Sequence, residues 1–405
     1  MAPVRTPSSQ EAAATTRPLG SGTVFAMALV CAFAVANIYY NQPMIVLMAS
    51  DLGVSVDFAG FITTSTQAGY TVGLALLAPL GDRFERRGLI LRMIALLILA
   101  LVAASIAPNF WLLLLASFFI GVLSIVAQYT IPMAAALSSP EKRGSVIGIV
   151  MAGLLTGILG ARVLSGVIAE QAGWRAMFVI AAGIMVLVAG VVRFAFPRLA
   201  ATSTLGYGAL MRSLLPLWRQ EPTLREATIV AAFSFAAFNV FWTTLTPHLA
   251  SPELGYGPAV AGMFGLVGLL GALTATVAGR VADRVNPRLI VGISVAMLVL
   301  AFLMMGVSGH LIIGLVVGVI VLDIGLQGVQ ITSQTRIFAL QPEARNRVNT
   351  LFMTAYFIGG TAGSFIGTLA WQFGGWAGVS ATGTGLALVA FIIHLSGPRL
   401  FSVRS

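Results

Sequence analysis

The chain has 405 residues, of which 58% are hydrophobic and only 9% charged, with a mean hydropathy of +0.96. Soluble domains carry charge on about a quarter of their residues, so this composition excludes a soluble globular protein and indicates one embedded in a membrane. The formal charge of +10, from 23 Lys and Arg against 13 Asp and Glu, is divided among short loops, which argues against nucleic-acid binding and fits retention of basic residues on the cytoplasmic side.

Backbone groups in lipid must be satisfied within a helix or a closed barrel, and the apolar runs here are about 20 residues or longer without strand-like alternation, so they are read as helices. Residues 1–21 form a polar N-tail rich in Ala, Thr, Ser and Pro. The first apolar run is too long, and too poorly flanked by cleavage-site residues, for a removable signal peptide. Spans are expected near 22–47, 58–80, 88–107, 110–136, 145–169 and 174–196, then, after a connection over 197–225, near 226–249, 259–279, 287–308, 311–338, 346–371 and 376–396, with a C-tail over 397–405. In the connection Leu205, Leu210, Met211, Leu214, Leu215 and Trp218 interleave with Arg212 and Arg219, a pattern open to a surface helix or to a simple tether between two bundles. Of the Lys and Arg residues, all but Arg162 and Arg175 fall in segments that an even number of spans places on one side together with both termini. The expectation is therefore an all-α membrane protein with cytoplasmic termini, its domains being bundles 22–196 and 226–396 joined by a cytoplasmic linker. The single Cys31 falls within the first span, where it is a small packing residue with no disulfide partner.

The two bundles are copies. Asn37-Ile38-Tyr39-Tyr40 reappears as Asn239-Val240-Phe241-Trp242, Gln128 as Gln330, Pro140-Glu141-Lys142-Arg143 as Pro342-Glu343-Ala344-Arg345, and Gly173-Trp174 as Gly375-Trp376, each 202 positions downstream. Gly81-Asp82-Arg83 matches Ala282-Asp283-Arg284 at 201. With six spans apiece the copies run in the same direction and are parallel repeats about an axis along the membrane normal, an arrangement that places a substrate site between them.

The turn after span two reads Ala78-Pro79-Leu80-Gly81-Asp82-Arg83-Phe84-Glu85-Arg86-Arg87, and its copy Gly279-Arg280-Val281-Ala282-Asp283-Arg284-Val285-Asn286-Pro287-Arg288. Both resemble the signature loop of the major facilitator superfamily, Gly-x-x-x-Asp-Arg-x-Gly-Arg-Arg, with Ala78 and Glu85 departing from its glycines. The resemblance runs from about residue 22 to 396 and implies twelve transmembrane helices in two six-helix bundles related by pseudo-two-fold symmetry. It also implies that Asp82, Arg83 and Arg86, with Asp283 and Arg284, act as a conformational latch. A carboxylate at a helix end can accept bonds from Arg and from the N-terminal amides of another helix; the other reading is a charged turn that obeys the positive-inside rule.

Two ionisable residues lie within the membrane, Arg162 in span five and Asp323 in span ten. Burying either charge costs at least about 2.5 kcal/mol, so each faces protein or a water-filled cavity. Arg162 follows Gly148, Gly153, Gly157 and Gly160, small residues that permit close helix approach. This span resembles the glycine-rich fifth span of the drug:proton antiporter branch, lacking its usual proline; the resemblance places the span at the interface between halves, where it seals the cavity and favours efflux. Arg162 has three open roles: binding an anionic substrate group, pairing with Asp323, or bonding to helix carbonyls. The expected spans put the two groups roughly 5 to 10 Å apart in depth. Asp323 is the candidate for proton coupling with Arg162, because a buried carboxyl changes protonation with the charge that faces it. The alternative is a permanent pair that holds the halves in register.

In the family the cavity is lined by spans one, four, seven and ten. Here these carry Asn37, Tyr40, Asn41 and Gln42 before Pro43, Gln128, then Asn239, Trp242 and Thr243 before Pro247, and Gln327 and Gln330 around Asp323. Polar groups in a membrane helix turn inward, and a proline frees backbone carbonyls to join a site. The same residues are also ordinary interhelical glue. The strings Ala36 to Pro43 and Leu322 to Thr335 resemble a bacterial efflux subgroup that includes nucleoside and sugar exporters. His248, His310 and His394 have no metal-ligand spacing, with His310 and His394 read as interfacial, and no nucleophile motif occurs. The expected protein is a monomeric, non-enzymatic secondary transporter of the bacterial inner membrane. It would exchange a small organic solute for protons, with no cofactor beyond the proton gradient, no metal, and lipid and substrate as its partners. Facilitated or inward transport of a similar solute is the alternative.

Overall fold

The computed structural model describes residues 20–139, 141–199, 214–268, 286–338 and 345–400, with Gly208 and Leu340 as single positions. Asp283 and Arg284, most of both tails and part of the 197–225 connection lie outside the described residues, as does the side chain of Asp82.

The first crossing is not the single helix expected over 22–47. It runs as α1 (Ser21–Ala36), a turn through Asn41, a 3₁₀ turn Gln42–Met44 and α2 (Ile45–Leu52), which ends at Gly53 with φ 66°. Pro43 has no N–H to bond to the carbonyl of Tyr39 and its ring crowds that carbonyl, so the α-helical ladder is interrupted in the turn that precedes it. After α3 (Val56–Ala59), the second crossing is α4 (Phe61–Leu76), followed by a short α5 (Leu80–Arg83) and by α6 (Arg86–Ser105). The fourth crossing is also interrupted, as α7 (Phe110–Leu123) and α8 (Val126–Ala136). α9 (Arg143–Ala172) and α10 (Trp174–Ala195) complete the first half.

A short helix, α11 (Leu214–Gln220), occupies the end of the connection. The second half contains α12 (Pro222–Leu249), α13 (described as Pro258–Gly268), α14 (Pro287–Ser308), α15 (Ile312–Phe338) and α16 (Arg345–Leu400), whose two limbs join at Gly375, φ 51°. Among the described residues eight helices are long and apolar enough to cross a membrane. One of these is the double-length α16, and the broken first crossing, the 16-residue α4 and the partly described α13 account for the remainder of the twelve.

Glycine sets the closest helix contacts. Gly153 and Gly157 of α9 lie against the backbone of Ala28 and Ala32 of α1, and Gly359 and Gly363 of α16 against Ala232 and Ala236 of α12, so that a Cβ at any of them would collide with a carbonyl. Both halves thus use the same small-residue spacing for the same job. Glu85, one of the departures from the signature loop, caps α6 by accepting bonds from Arg87 N at 2.9 Å and Gly88 N at 2.7 Å. Its repeat partner Asn286 caps α14 through Arg288 N at 2.9 Å. Arg86 is buried, its Nε donating to Gly81 O at 3.0 Å, and Arg83 is exposed.

The halves meet along two seams toward the end opposite the basic loops. In one, α4 faces the first limb of α16: Thr64 and Ser364 hydroxyls are 3.0 Å apart, Thr71 and Thr361 2.9 Å, and Thr71 Oγ1 donates to Phe357 O at 3.0 Å. In the other, α9 faces α13: Gly166 abuts Pro258, Gly262 the carbonyl of Arg162, and Gly265 that of Leu159, while Ala259 N donates to Glu170 at 3.1 Å. A further bond from Thr246 Oγ1 to Gln42 O, 2.8 Å, joins the first and seventh crossings. Toward the basic end the first seam parts into a cleft between Ala78, Gln128 and Tyr129 of one half and Asn349, Met353 and Thr354 of the other.

Candidate functional site

Arg162 reaches from α9 into the plane between the halves and is only 2% exposed. Its guanidinium carbon lies 3.8 Å from the ring centroid of Trp242 in the opposite half and 4.7 Å from that of Tyr39. Its Nε donates to Gln42 Oε1 at 2.9 Å. Two aromatic faces and one amide oxygen therefore hold the charge, an arrangement that suits a planar guanidinium, which can contact rings and donate at its edge at once. The break before Pro43 is what turns Tyr39 and Gln42 together toward α9.

Asp323, 6% exposed, sits on α15. Its Oδ2 is buried without a hydrogen-bond partner, and the carboxyl makes no ion pair with Arg162. Gly268 of α13 gives it room, since a Cβ there would stand 3.3 Å from Oδ2. α9 extends to Ala172, three residues beyond the expected end. Counted from the ends of α9 and α15, Arg162 and Asp323 lie at nearly the same depth, roughly 15–17 Å in, rather than 5 to 10 Å apart. They are neighbours in depth without being bonded. The indole Nε1 of Trp242 and the amide Nε2 of Gln42 are likewise buried with no partner. Donors and an acceptor left open beside a guanidinium are what a polar ligand or ordered water would satisfy.

Not every expected lining residue joins this centre. Asn37 donates to Phe33 O at 2.7 Å and turns toward Met185 of α10, and Asn239 donates to Phe235 O at 3.0 Å. These repeat-related asparagines bond back to repeat-related carbonyls, each within its own half. Asn41 bonds to Thr66 of α4 at 2.8 Å, Tyr40 is 1% exposed, and Thr243 shares Ser364 with Thr64, at 2.9 Å. Gln128 donates to Tyr70 OH at 3.2 Å and lines the basic-end cleft. Gln330 accepts from Tyr356 OH at 3.4 Å, and Gln327 is half-buried. His248 stacks on Trp376 at 3.8 Å and bonds to Gly309 O at the far end. Sequence reasoning missed Tyr39 as a guanidinium partner. Continuous helical periodicity selects Tyr40, and only the proline signals that periodicity fails there.

The two positions where the repeat is broken can be compared directly. Gly121, the counterpart of Asp323, packs on the carbonyl of Thr66 in α4, so no side chain fits. In the second half the glycine has moved to the partner helix as Gly268, and a carboxylate takes the vacated space. Ser364, the counterpart of Arg162, occupies the α4–α16 seam as Arg162 occupies the α9–α13 seam.

Residues 25–364 match the family model described as Major Facilitator Superfamily. The chain is 38% identical over 379 residues to the uncharacterized transporter YgaY of Escherichia coli O157:H7, covering 94% of this chain and 96% of that protein. It is 24% identical over 360 residues to a probable sugar efflux transporter of Haemophilus influenzae, covering 87% and 88%. Among solved structures, the bacterial homolog of the human lysosomal transporter Spinster aligns with a TM-score of 0.75 at 16% identity, over 95% of this chain and 98% of that one. A peptide transporter aligns with a TM-score of 0.73 at 14% identity, over 95% and 96%.

Proposed function

The chain belongs to the major facilitator superfamily, and from that premise we propose that it exports a small organic solute across the bacterial inner membrane in exchange for protons, by alternating access. On this reading the basic loops face the cytoplasm, and the cleft beside Gln128 and Asn349 lies on that side. The observation that carries the reading is Asp323, a buried carboxyl with Oδ2 unpaired at the plane between the halves. An unpaired buried carboxylate is costly, so the ionised form requires a donor from substrate or a closer Arg162, and the neutral form requires the proton. Substrate and proton then compete for one oxygen, which is the condition for exchange.

The open indole N–H and amide of Trp242 and Gln42 supply donors, and the Trp242 and Tyr39 rings supply flat apolar surface. A hydroxyl- or carbonyl-bearing solute fits this set, in keeping with the sugar efflux relative. In proteoliposomes, Asp323→Asn is expected to abolish uphill transport driven by a pH gradient while substrate exchange across the membrane persists. A variant that still concentrates substrate at the wild-type rate removes Asp323 from the coupling. Wild-type transport that only dissipates a substrate gradient, whatever the pH difference, makes the protein a facilitator.

A further inference from the structure

At the basic end of the second half, four side chains from four helices converge. Glu226 of α12 is 5% exposed, and its carboxylate faces Arg336 of α15 at 3.2 Å, His394 of α16 at 3.3 Å and Arg288 of α14 at 3.8 Å. His394 is thus buried in an ion cluster rather than interfacial. The residues 202 positions before Glu226, Arg336 and His394 are Val24, Ala134 and Val192, all buried. The fold therefore does not require charge at these places, since the first half packs hydrocarbon there.

Arg288 does have a counterpart. Arg87 Nη1 donates to Phe196 O at 3.2 Å, and Arg288 Nη2 to His394 O at 2.7 Å, so both tie the third helix of a half to the end of its sixth. The surface beside them differs. Next to Arg288 a groove of about 420 Å³ runs between the start of α14 and the second limb of α16, along Gly292, Ile293, Ala296, Phe391 and His394. In the register that aligns the two caps, Leu91 stands in place of Gly292 and Glu85 in place of Asn286. The first half thus carries a larger side chain and a carboxylate at the two positions where the second half has Gly292 and Asn286. Ile293 and Leu395 are 54% and 63% exposed, which turns the groove toward lipid.

We propose that this groove holds an anionic phospholipid of the inner leaflet, its phosphate at Arg288 and the start of α14 and an acyl chain along Ile293, Ala296 and Phe391. Charge complementarity selects the occupant. Within the cluster two arginines face one carboxylate, Arg288 is 34% exposed, and the helix N-terminus adds amide donors and a positive dipole end. Basic pockets between helices at the cytoplasmic face take anionic headgroups on these grounds. The ring of His394 forms part of the wall, with Nε2 over Gly292.

The test uses the full chain in detergent with added phosphatidylglycerol or phosphatidylcholine, bound lipid being counted by native mass spectrometry. Wild type is expected to retain phosphatidylglycerol over phosphatidylcholine. Arg288→Gln should weaken that retention about fivefold, the value of one basic contact near the surface. Asn286→Glu, which keeps a capping oxygen and restores the carboxylate of the first half, should weaken it similarly and guards against misfolding of the arginine variant. Equal retention of the two lipids by wild type, or wild-type retention by Asn286→Glu, overturns the proposal. Displacement of the lipid by glycerol phosphate at equal concentration also overturns it, because the groove would then recognise a free phosphate.

Discussion

The Arg162 guanidinium lies over the rings of Tyr39 and Trp242, and such contact of a desolvated cation is worth about 2 kcal/mol. Arg162→Lys keeps the charge but loses the plane and the Gln42 bond geometry, so initial transport rates should fall roughly 10- to 30-fold while the protein remains folded by size exclusion. Unchanged rates would show that charge alone suffices. At the far rim Asp51 accepts from Trp174 Nε1 at 3.1 Å and pairs with Arg175, and the Arg175 bond holds its carboxyl below the usual carboxylate range. Its folded value is below the unfolded one, so the stabilisation exists at neutral pH and is lost as pH falls through the folded value. The two side chains are 40% and 46% exposed, which limits the pair to under about 1 kcal/mol. Asp51→Asn is therefore expected to lower Tm slightly at pH 7, with the difference closing below about pH 3. At this scale Arg162 and Asp323 are legible in the sequence because charge in an apolar window has few places to go. The Glu226 cluster is not, because each member sits at a span end, where charge is ordinary.

Helix contacts depend on where a glycine points, and α9 separates the cases. Gly157 lies on the carbonyl of Ala32, whereas Gly160 has open space around an added Cβ. Gly157→Leu should cost about 1–3 kcal/mol by overpacking, and Gly160→Leu should be tolerated, so thermal melting of the two variants isolates packing from helix propensity. Because Leu has the higher helix propensity, a Tm for Gly157→Leu as high as that for Gly160→Leu would mean that the α1 contact does not set the requirement. The number and order of the crossings follow from the apolar runs. The interruption at Pro43 was signalled by the residue itself, although its effect on Tyr39 was not. The break at Ser124–Ile125 has no proline or glycine within it to announce it; Ser124 bonds back to Ile120 O at 2.6 Å, the kind of side-chain competition that bends helices. Glu85 reads as a defect in a family loop and is a helix cap once its two amide bonds are placed.

The two-fold repeat predicted two similar bundles and a site between them, and the all-α fold agrees with the first of these. It could not reveal the seams, because Thr64, Thr71, Thr361 and Ser364 are residue types that occur on any membrane helix and acquire meaning only when two halves close. If alternating access opens the α4–α16 seam, then Thr64→Cys with Ser364→Cys should cross-link under mild oxidation, stop transport, and recover on reduction. Cys31 is fully buried and need not be removed. A cross-linked protein that still transports at its normal rate would place the moving contact elsewhere. The chemistry of that seam has a thermodynamic corollary. Each hydroxyl pair contributes only about 1 kcal/mol net, since water replaces the lost partner when it parts. A closure made of ion pairs or large apolar plugs would lock one face shut, whereas a row of hydroxyls leaves the shut and open forms within a few kcal/mol. That is the scale of work a membrane can deliver, about 2.3 kcal/mol per charge per 100 mV, so under the proposed exchange bonds this modest would let an ordinary gradient turn the protein over.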